Sequence, residues 1–249
     1  MENFESVTVS IDGRTAVISF YNPRGNSLPR ALLQNLADEF TQLSANDDVN
    51  VIVLRSNGDG PFCGGASFSE LQAVSNYNEG KDFFMGFATL ILAMKNCRKL
   101  IITRVQGKAV GGGVGIIAAS DYVLAHESAS VRLSELDLGI GPFVVGPAIE
   151  RRTGSGAFSA MAIDTKWRDS LWAKNHGLFT EVYNTVEELD NAVNELAKKL
   201  ASGSQEAMTE LKSILWEDTG SWAELLPERA KISGRLILSE FSVNYLSKL

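Results

Sequence analysis

The sequence predicts an α/β fold with parallel strand pairing, and three observations carry that prediction. Short, nearly continuous apolar runs at Val51 to Leu54, Leu100 to Val105 and Tyr122 to Ala125 have the length and composition of strands covered on both faces. Stretches with apolar residues at helical spacing separate these runs. Directly after the second run, Gly111-Gly112-Gly113 opens a small-residue, apolar segment that reads as a buried helix. Strands alternating with helices favour parallel pairing, because parallel neighbours need a crossover connection.

Taken in order, Val7 to Ile11 and Thr15 to Phe20 alternate like strands, and the turn pair Asp12-Gly13 between them predicts a hairpin. Pro29 suits a first helical turn, and Leu32, Leu33, Leu36, Phe40 and Leu43 then recur on one helical face. The strand Val51 to Leu54 ends in the polar, glycine-containing turn Ser56 to Pro61. Lys81 to Cys97 reads as a helix ahead of the strand Leu100 to Val105. Beyond Gly146 the pattern becomes mostly helical: Val186 to Leu200 is amphipathic, and Ala207 to Trp216 and Leu225 to Leu246 are the last predicted helices. Ser202-Gly203-Ser204 is a candidate boundary between a body and a helical appendage.

Composition narrows the classes of function. With 249 residues, 45% hydrophobic and 21% charged, the chain is long enough for a substantial core. No apolar run approaches the roughly 18 uncharged residues of a membrane span. The polar start Met1-Glu2-Asn3-Phe4-Glu5 has no signal-peptide pattern, so the expected compartment is cytoplasmic. Two cysteines, Cys63 and Cys97, and two histidines, His126 and His176, supply neither a disulfide framework nor a zinc ligand set, so no metal is expected. A formal charge of −7 argues against binding a nucleic-acid backbone, while leaving room for a local basic pocket around one phosphorylated ligand.

The glycine run carries the chemistry. Glycine lets the chain turn sharply and expose its N–H groups, and at a helix start those groups have no intrahelical acceptor and lie at the positive end of the dipole. Such a place suits an oxygen that is, or becomes, negative. Taken singly, Gly111 to Gly113 has close helix packing as a rival reading, and Gly64-Gly65 a tight turn.

Five segments in order resemble the crotonase, or enoyl-CoA hydratase/isomerase, superfamily. Tyr21-Asn22-Pro23-Arg24-Gly25-Asn26-Ser27-Leu28 is similar to the family's N-terminal Asn-x-Pro segment, and Phe62-Cys63-Gly64-Gly65-Ala66-Ser67 to its first oxyanion loop, F-x-A-G-A-D. Gly111-Gly112-Gly113 is similar to the second oxyanion loop, Leu133 to Ile140 to the acidic active-site segment, and Gly177 to Val182 to the G-L-V-x-x-V strand. The resemblance implies a spiral of ββα units over residues 1–200, a C-terminal helical trimerisation region over 201–249, and assembly into homotrimers or hexamers. It implies an acyl-CoA substrate and no cofactor.

Carried over residue by residue, the resemblance makes the amides of Gly64 and Gly112 the two oxyanion donors, flanked by Gly65, Ala66 and Gly111. Arg24 becomes the candidate contact for coenzyme A phosphate, and Phe143 and Val144 the candidate acyl-pocket walls. Two-carboxylate hydratases carry a glutamate three residues beyond the second oxyanion glycine, where this chain has Gly115. The later acidic position is kept by Glu135. Ser134 to Phe143 also resembles the N-E-x-x-L-G-I-x-x-P-F segment of mitochondrial-type enoyl-CoA isomerases. One carboxylate suffices to take a proton from C2 of a 3-enoyl thioester and return it at C4. The leading expectation is therefore a Δ3,Δ2-isomerase with Glu135 as proton shuttle. Hydration or another acyl-CoA lyase reaction using Glu135, and a catalytically silent acyl-CoA-binding or assembly protein, remain alternatives. Asp137 and both histidines are expected to be structural, Cys63 a buried thiol, and Ser67 holds the family's aspartate position without an evident role.

Overall fold

The computed structural model describes residues 4–248. Strands β1 (Ser6–Asp12) and β2 (Thr15–Tyr21) form the expected hairpin, antiparallel from Ser6↔Tyr21 to Asp12↔Thr15. Asp12 belongs to the strand, so the turn is Gly13-Arg14, with Gly13 at φ +55°. Helix α1 (Arg30–Ala45) follows, its Pro29 standing just outside as N-cap, and then strand β3 (Val51–Ser56). Next come α2 (Phe68–Ala73) and α3 (Tyr77–Asn96). The α3 helix starts four residues before the predicted Lys81 because the Asn76 side chain accepts the Glu79 N–H and caps the helix there.

Strands β4 (Leu100–Val105) and β5 (Ala109–Val110) lead to α4 (Gly112–Ala118), β6 (Tyr122–His126) and β7 (Ser130–Arg132). Helix α5 (Gly146–Asp164), strand β8 (Arg168–Asp169), helix α6 (Ser170–Asn175) and strand β9 (Glu181–Tyr183) complete the body together with α7 (Val186–Ala201). After the Ser202-Gly203-Ser204 loop run α8 (Gln205–Leu215), α9 (Trp222–Leu236) and α10 (Glu240–Leu246). The single helix expected over Leu225 to Leu246 is thus two. Ser239 starts a new one by accepting the Ser242 N–H on its hydroxyl.

The main sheet has the order β1-β2-β3-β4-β6-β9, parallel from β2 onward, and a small second sheet has the order β5-β7-β8. Side chains alternate across the main sheet. Ile52, Leu54, Ile101 and Val123 enter the large core with α1 and α3, whereas Val51, Val53, Ile102 and Leu124 pack against Leu189, Val193 and Ala197 of α7. Burial on both faces explains why these strands read as unbroken apolar runs.

Helices α8 to α10 fold back onto the body. The Lys212 ammonium of α8 is buried 2.9 Å from Asp121 Oδ2 and donates to the carbonyls of Met94 and Lys99. Gly80 of α3 and Gly234 of α9 meet so closely that a Cβ on Gly234 would run into the Lys81 backbone. Gln72 of α2 donates to the Leu246 carbonyl at 2.7 Å. Among the described residues no helix is long and apolar enough to cross a membrane.

Candidate active site

The second glycine loop takes its shape from the small sheet. Strand β5 pairs parallel with β7, with Val110 opposite Arg132, and the Gly111 N–H donates to the Arg132 carbonyl at 2.9 Å. Gly111 then turns at φ +52°, ψ −113°, a region that side chains disfavour. Its carbonyl accepts from Val114 and Gly115, which starts α4, and the Gly112 amide in that first turn has no acceptor among the described residues. A Cβ on Gly112 would run into the ring of Phe87.

The first glycine loop lies alongside. Cys63 is buried and donates its N–H to the Lys108 carbonyl, while its own carbonyl accepts from Val110, so the two glycine loops are stitched together. Burial pushes the Cys63 thiol up to about 12, as expected of an inert, space-filling side chain. Ser67 now has a role: its hydroxyl caps α2 by accepting the Glu70 N–H, a task aspartate performs equally well. The Gly64 amide is not free. It donates to the Gly25 carbonyl at 2.9 Å. That carbonyl is held in place by Asn26, which is buried, takes φ +55°, accepts the Asn22 N–H and donates to the carbonyls of Asn57 and Pro61.

Glu135 projects from a turn in which its carbonyl accepts from both Leu138 and Ile140. The residue keeps some exposure overall, but its Oε2 is sealed from solvent and has no hydrogen-bond partner. This desolvation pushes the carboxyl up to about 7, against a smaller downward pull from the Glu135 and Ser134 amides. Its Oε1 lies 2.8 Å from where a Cβ on Gly111 would stand, so the carboxyl rests directly over the second glycine loop.

One cavity of about 570 Å³, counting the part open to solvent, brings these groups together. It is lined by Gly64, Gly65, Ala66, Gly111, Gly112, Glu135, Phe143 and Val144, eight of the nine residues singled out from sequence. Arg24 is the ninth; its side chain is exposed and lines no part of the cavity. Phe84 and Phe87 of α3, Phe68 and Leu71 of α2, Val145, and Ser233 of α9 also line the cavity, and no motif in the sequence marks them. The first four sit at helical spacing and look like ordinary core, and nothing near Ser233 signals a site 98 residues after Glu135.

Val145 matters most among these. A Cβ on Gly115 would lie 2.6 Å from both Val145 Cβ and Cγ1, so valine fills the space beside the position where two-carboxylate relatives carry their first glutamate. Asp137 is paired with Arg132 and Thr165. His126 bonds Ser128 and the Asn184 carbonyl, and His176 bonds the Trp172 carbonyl while stacking on that indole. Neither histidine lines the cavity.

Comparison with known proteins agrees with this architecture. Over 190 residues the chain is 30% identical to the peroxisomal Delta(3,5)-Delta(2,4)-dienoyl-CoA isomerase of Arabidopsis thaliana, covering 70% of this chain and 67% of that protein. Over 204 residues it is 28% identical to a (7aS)-7a-methyl-1,5-dioxo-2,3,5,6,7,7a-hexahydro-1H-indene-carboxyl-CoA hydrolase of Rhodococcus jostii (strain RHA1), covering 78% and 74%. The crystal structure of enoyl-CoA hydratase from Bacillus halodurans superposes with a TM-score of 0.91 at 19% identity, over 98% of this chain and 99% of that one, which establishes the crotonase fold. The family model for enoyl-CoA hydratase/isomerase matches residues 11–237, spanning both glycine loops, Glu135 and all of α9. The chain therefore belongs to the enoyl-CoA hydratase/isomerase family of acyl-CoA enzymes.

Proposed function

We propose that the protein shifts the double bond of a 3-enoyl-CoA into conjugation, giving the 2-enoyl-CoA, with Glu135 as the only proton carrier. The observation that carries this is the lining of the cavity. Among the described residues Glu135 is its one carboxylate, and Val145 fills the space beside Gly115 where a second would have to enter. Activating and orienting a water molecule for hydration is work for two carboxylates. Moving one proton along a three-carbon unit is work for one.

The steps balance. Glu135, as carboxylate, takes a proton from C2, and the electron pair spreads over the thioester oxygen and C4 as a dienolate. The protonated Glu135 then gives the proton back at C4, and the double bond comes to rest between C2 and C3. A carboxyl titrating near 7 is divided between acid and base at neutral pH, which suits alternation between the two roles.

The oxygen charge needs donors. Gly112 offers an unengaged amide, and Gly64 becomes the second once it exchanges the Gly25 carbonyl for the thioester oxygen; each such donor is typically worth about 3 kcal/mol to the transition state. Phe143 and Val144 supply apolar wall for the acyl chain, with Gly65, Ala66 and Gly111 flanking the thioester. In this reading Arg24, exposed and outside the cavity, meets the polar part of coenzyme A. The same reading assembles the chain as a homotrimer or hexamer, covering apolar side chains such as Leu136, Phe241 and Val243 that stand exposed in the single chain.

Incubation with 3-enoyl-CoA and 2-enoyl-CoA in deuterated water, beside Glu135→Gln, tests the proposal. Double-bond migration that the variant abolishes supports it. A 3-hydroxyacyl product assigns hydration instead, and tight acyl-CoA binding with no exchange at C2 assigns a silent binding protein.

A further inference from the structure

Arg132 holds both halves of the site. Its backbone carbonyl receives the Gly111 N–H and so fixes the glycine loop, while its guanidinium reaches the turn that carries Glu135, with Nη2 2.6 Å from Asp137 Oδ2. The same guanidinium donates through Nε to the Thr165 carbonyl at 2.6 Å, and the Thr165 hydroxyl donates to the other Asp137 oxygen at 2.9 Å. The end of β7, the Glu135 turn that follows it and the distant C-cap of α5 thus close into one ring of charge-assisted hydrogen bonds.

Thr165 provides an independent sign that the ring matters. It caps α5 with φ +52° and ψ +20°, the left-handed conformation that glycine or asparagine takes at helix ends and that a β-branched residue adopts only against steric resistance. Glycine would fit the backbone better but has no hydroxyl for Asp137. Strain of this kind persists where the surroundings demand a particular group.

We propose that Arg132, Asp137 and Thr165 form a positioning clamp that sets the distance between the Glu135 carboxyl and the Gly111-Gly112 amides. The carboxyl rests on Gly111, so a turn that drifts outward carries the base away from the glycine loop. Among the described residues the cavity lining contains no ionisable side chain besides Glu135, and the charges closest to it along the chain are the clamp's own Arg132 and Asp137, which neutralise each other.

Two measurements on Arg132→Gln, Asp137→Asn, their double variant and Thr165→Gly test the clamp. The first is independent of the reaction: titration of the Glu135 carboxyl in the ligand-free protein by NMR with carbon-13-labelled glutamate. If the clamp seats the carboxyl, every variant lets it reach water and its midpoint falls from near 7 toward the ordinary value of 4.5. Midpoints that move in opposite directions for the arginine and aspartate variants reveal a bare charge effect and overturn the clamp, as do midpoints that stay in place.

The second measurement rests on the isomerase reading. Loss of alignment is expected to lower kcat by at least about ten-fold with KM within about two-fold of wild type, and the double variant to be no worse than either single one. Losses that multiply, or that fall on KM alone, contradict a shared positioning device. Thr165→Gly separates alignment from folding: its melting temperature is expected to hold or rise while kcat falls, and a parallel fall of both overturns the proposal. A wild-type protein that shifts no double bond, with a Glu135 midpoint that still responds to the clamp variants, refutes the proposed reaction and leaves the clamp standing.

Discussion

Glu135 is costly to keep where it is. Its carboxyl is raised from 4.5 to about 7, so between those values the folded protein binds a proton that the unfolded chain has lost. Stability therefore falls as pH climbs through this window, by up to roughly 3 kcal/mol, the reverse of the usual ion-paired carboxylate. Urea unfolding at pH 5 and pH 8 is expected to show this loss in the wild type, and Glu135→Gln to be disproportionately stabilised at pH 8. A second prediction concerns Gly64. A Cβ there would sit 2.9 Å from the Gly25 carbonyl, so Gly64→Ala has to displace that carbonyl and free the amide it occupies. Turnover of an enoyl-CoA is expected to rise by roughly 2- to 10-fold, the worth of one recovered hydrogen bond, together with a small loss of stability. The candidate base and both glycine loops were legible because their residue types and order recur as a pattern. The engagement of Gly64 was not, since it depends on where a carbonyl 39 residues earlier comes to lie.

At the scale of elements, the strands were legible because alternating side chains enter two separate cores, and the helices because their apolar faces repeat. Boundaries were less so. A single capping side chain moved the start of α3 from Lys81 to Tyr77, and another divided the last predicted helix at Ser239. The attachment of α8 was also invisible in sequence. Lys212 and Asp121 lie 91 residues apart, yet they form a buried pair whose aspartate also accepts from the Trp216 indole and the Ile101 amide. Lys212→Met leaves that carboxylate short of its cation and two carbonyls short of a donor. It is expected to lower unfolding free energy by about 3–5 kcal/mol in a denaturant titration, whereas a surface lysine such as Lys248 is expected to change it by less than about 0.5 kcal/mol.

For the whole molecule, the body supplies the two glycine loops and Glu135, the proposed base, and the C-terminal helices return over it so that Ser233 of α9 joins the cavity wall. The Gly80–Gly234 contact makes this closure tight. No local pattern announces it, because each glycine looks unremarkable in its own helix. What the fold achieves is a largely apolar cavity in which one carboxyl faces one glycine loop, with no ionisable competitor among the described residues that line the wall. Transfer of a proton from C2 to C4 by this single carboxyl is read out with a 3-enoyl-CoA carrying deuterium at C2. Deuterium is expected at C4 of the 2-enoyl product with the wild type, and neither migration nor product with Glu135→Gln. Product formed by that variant at an undiminished rate contradicts that transfer.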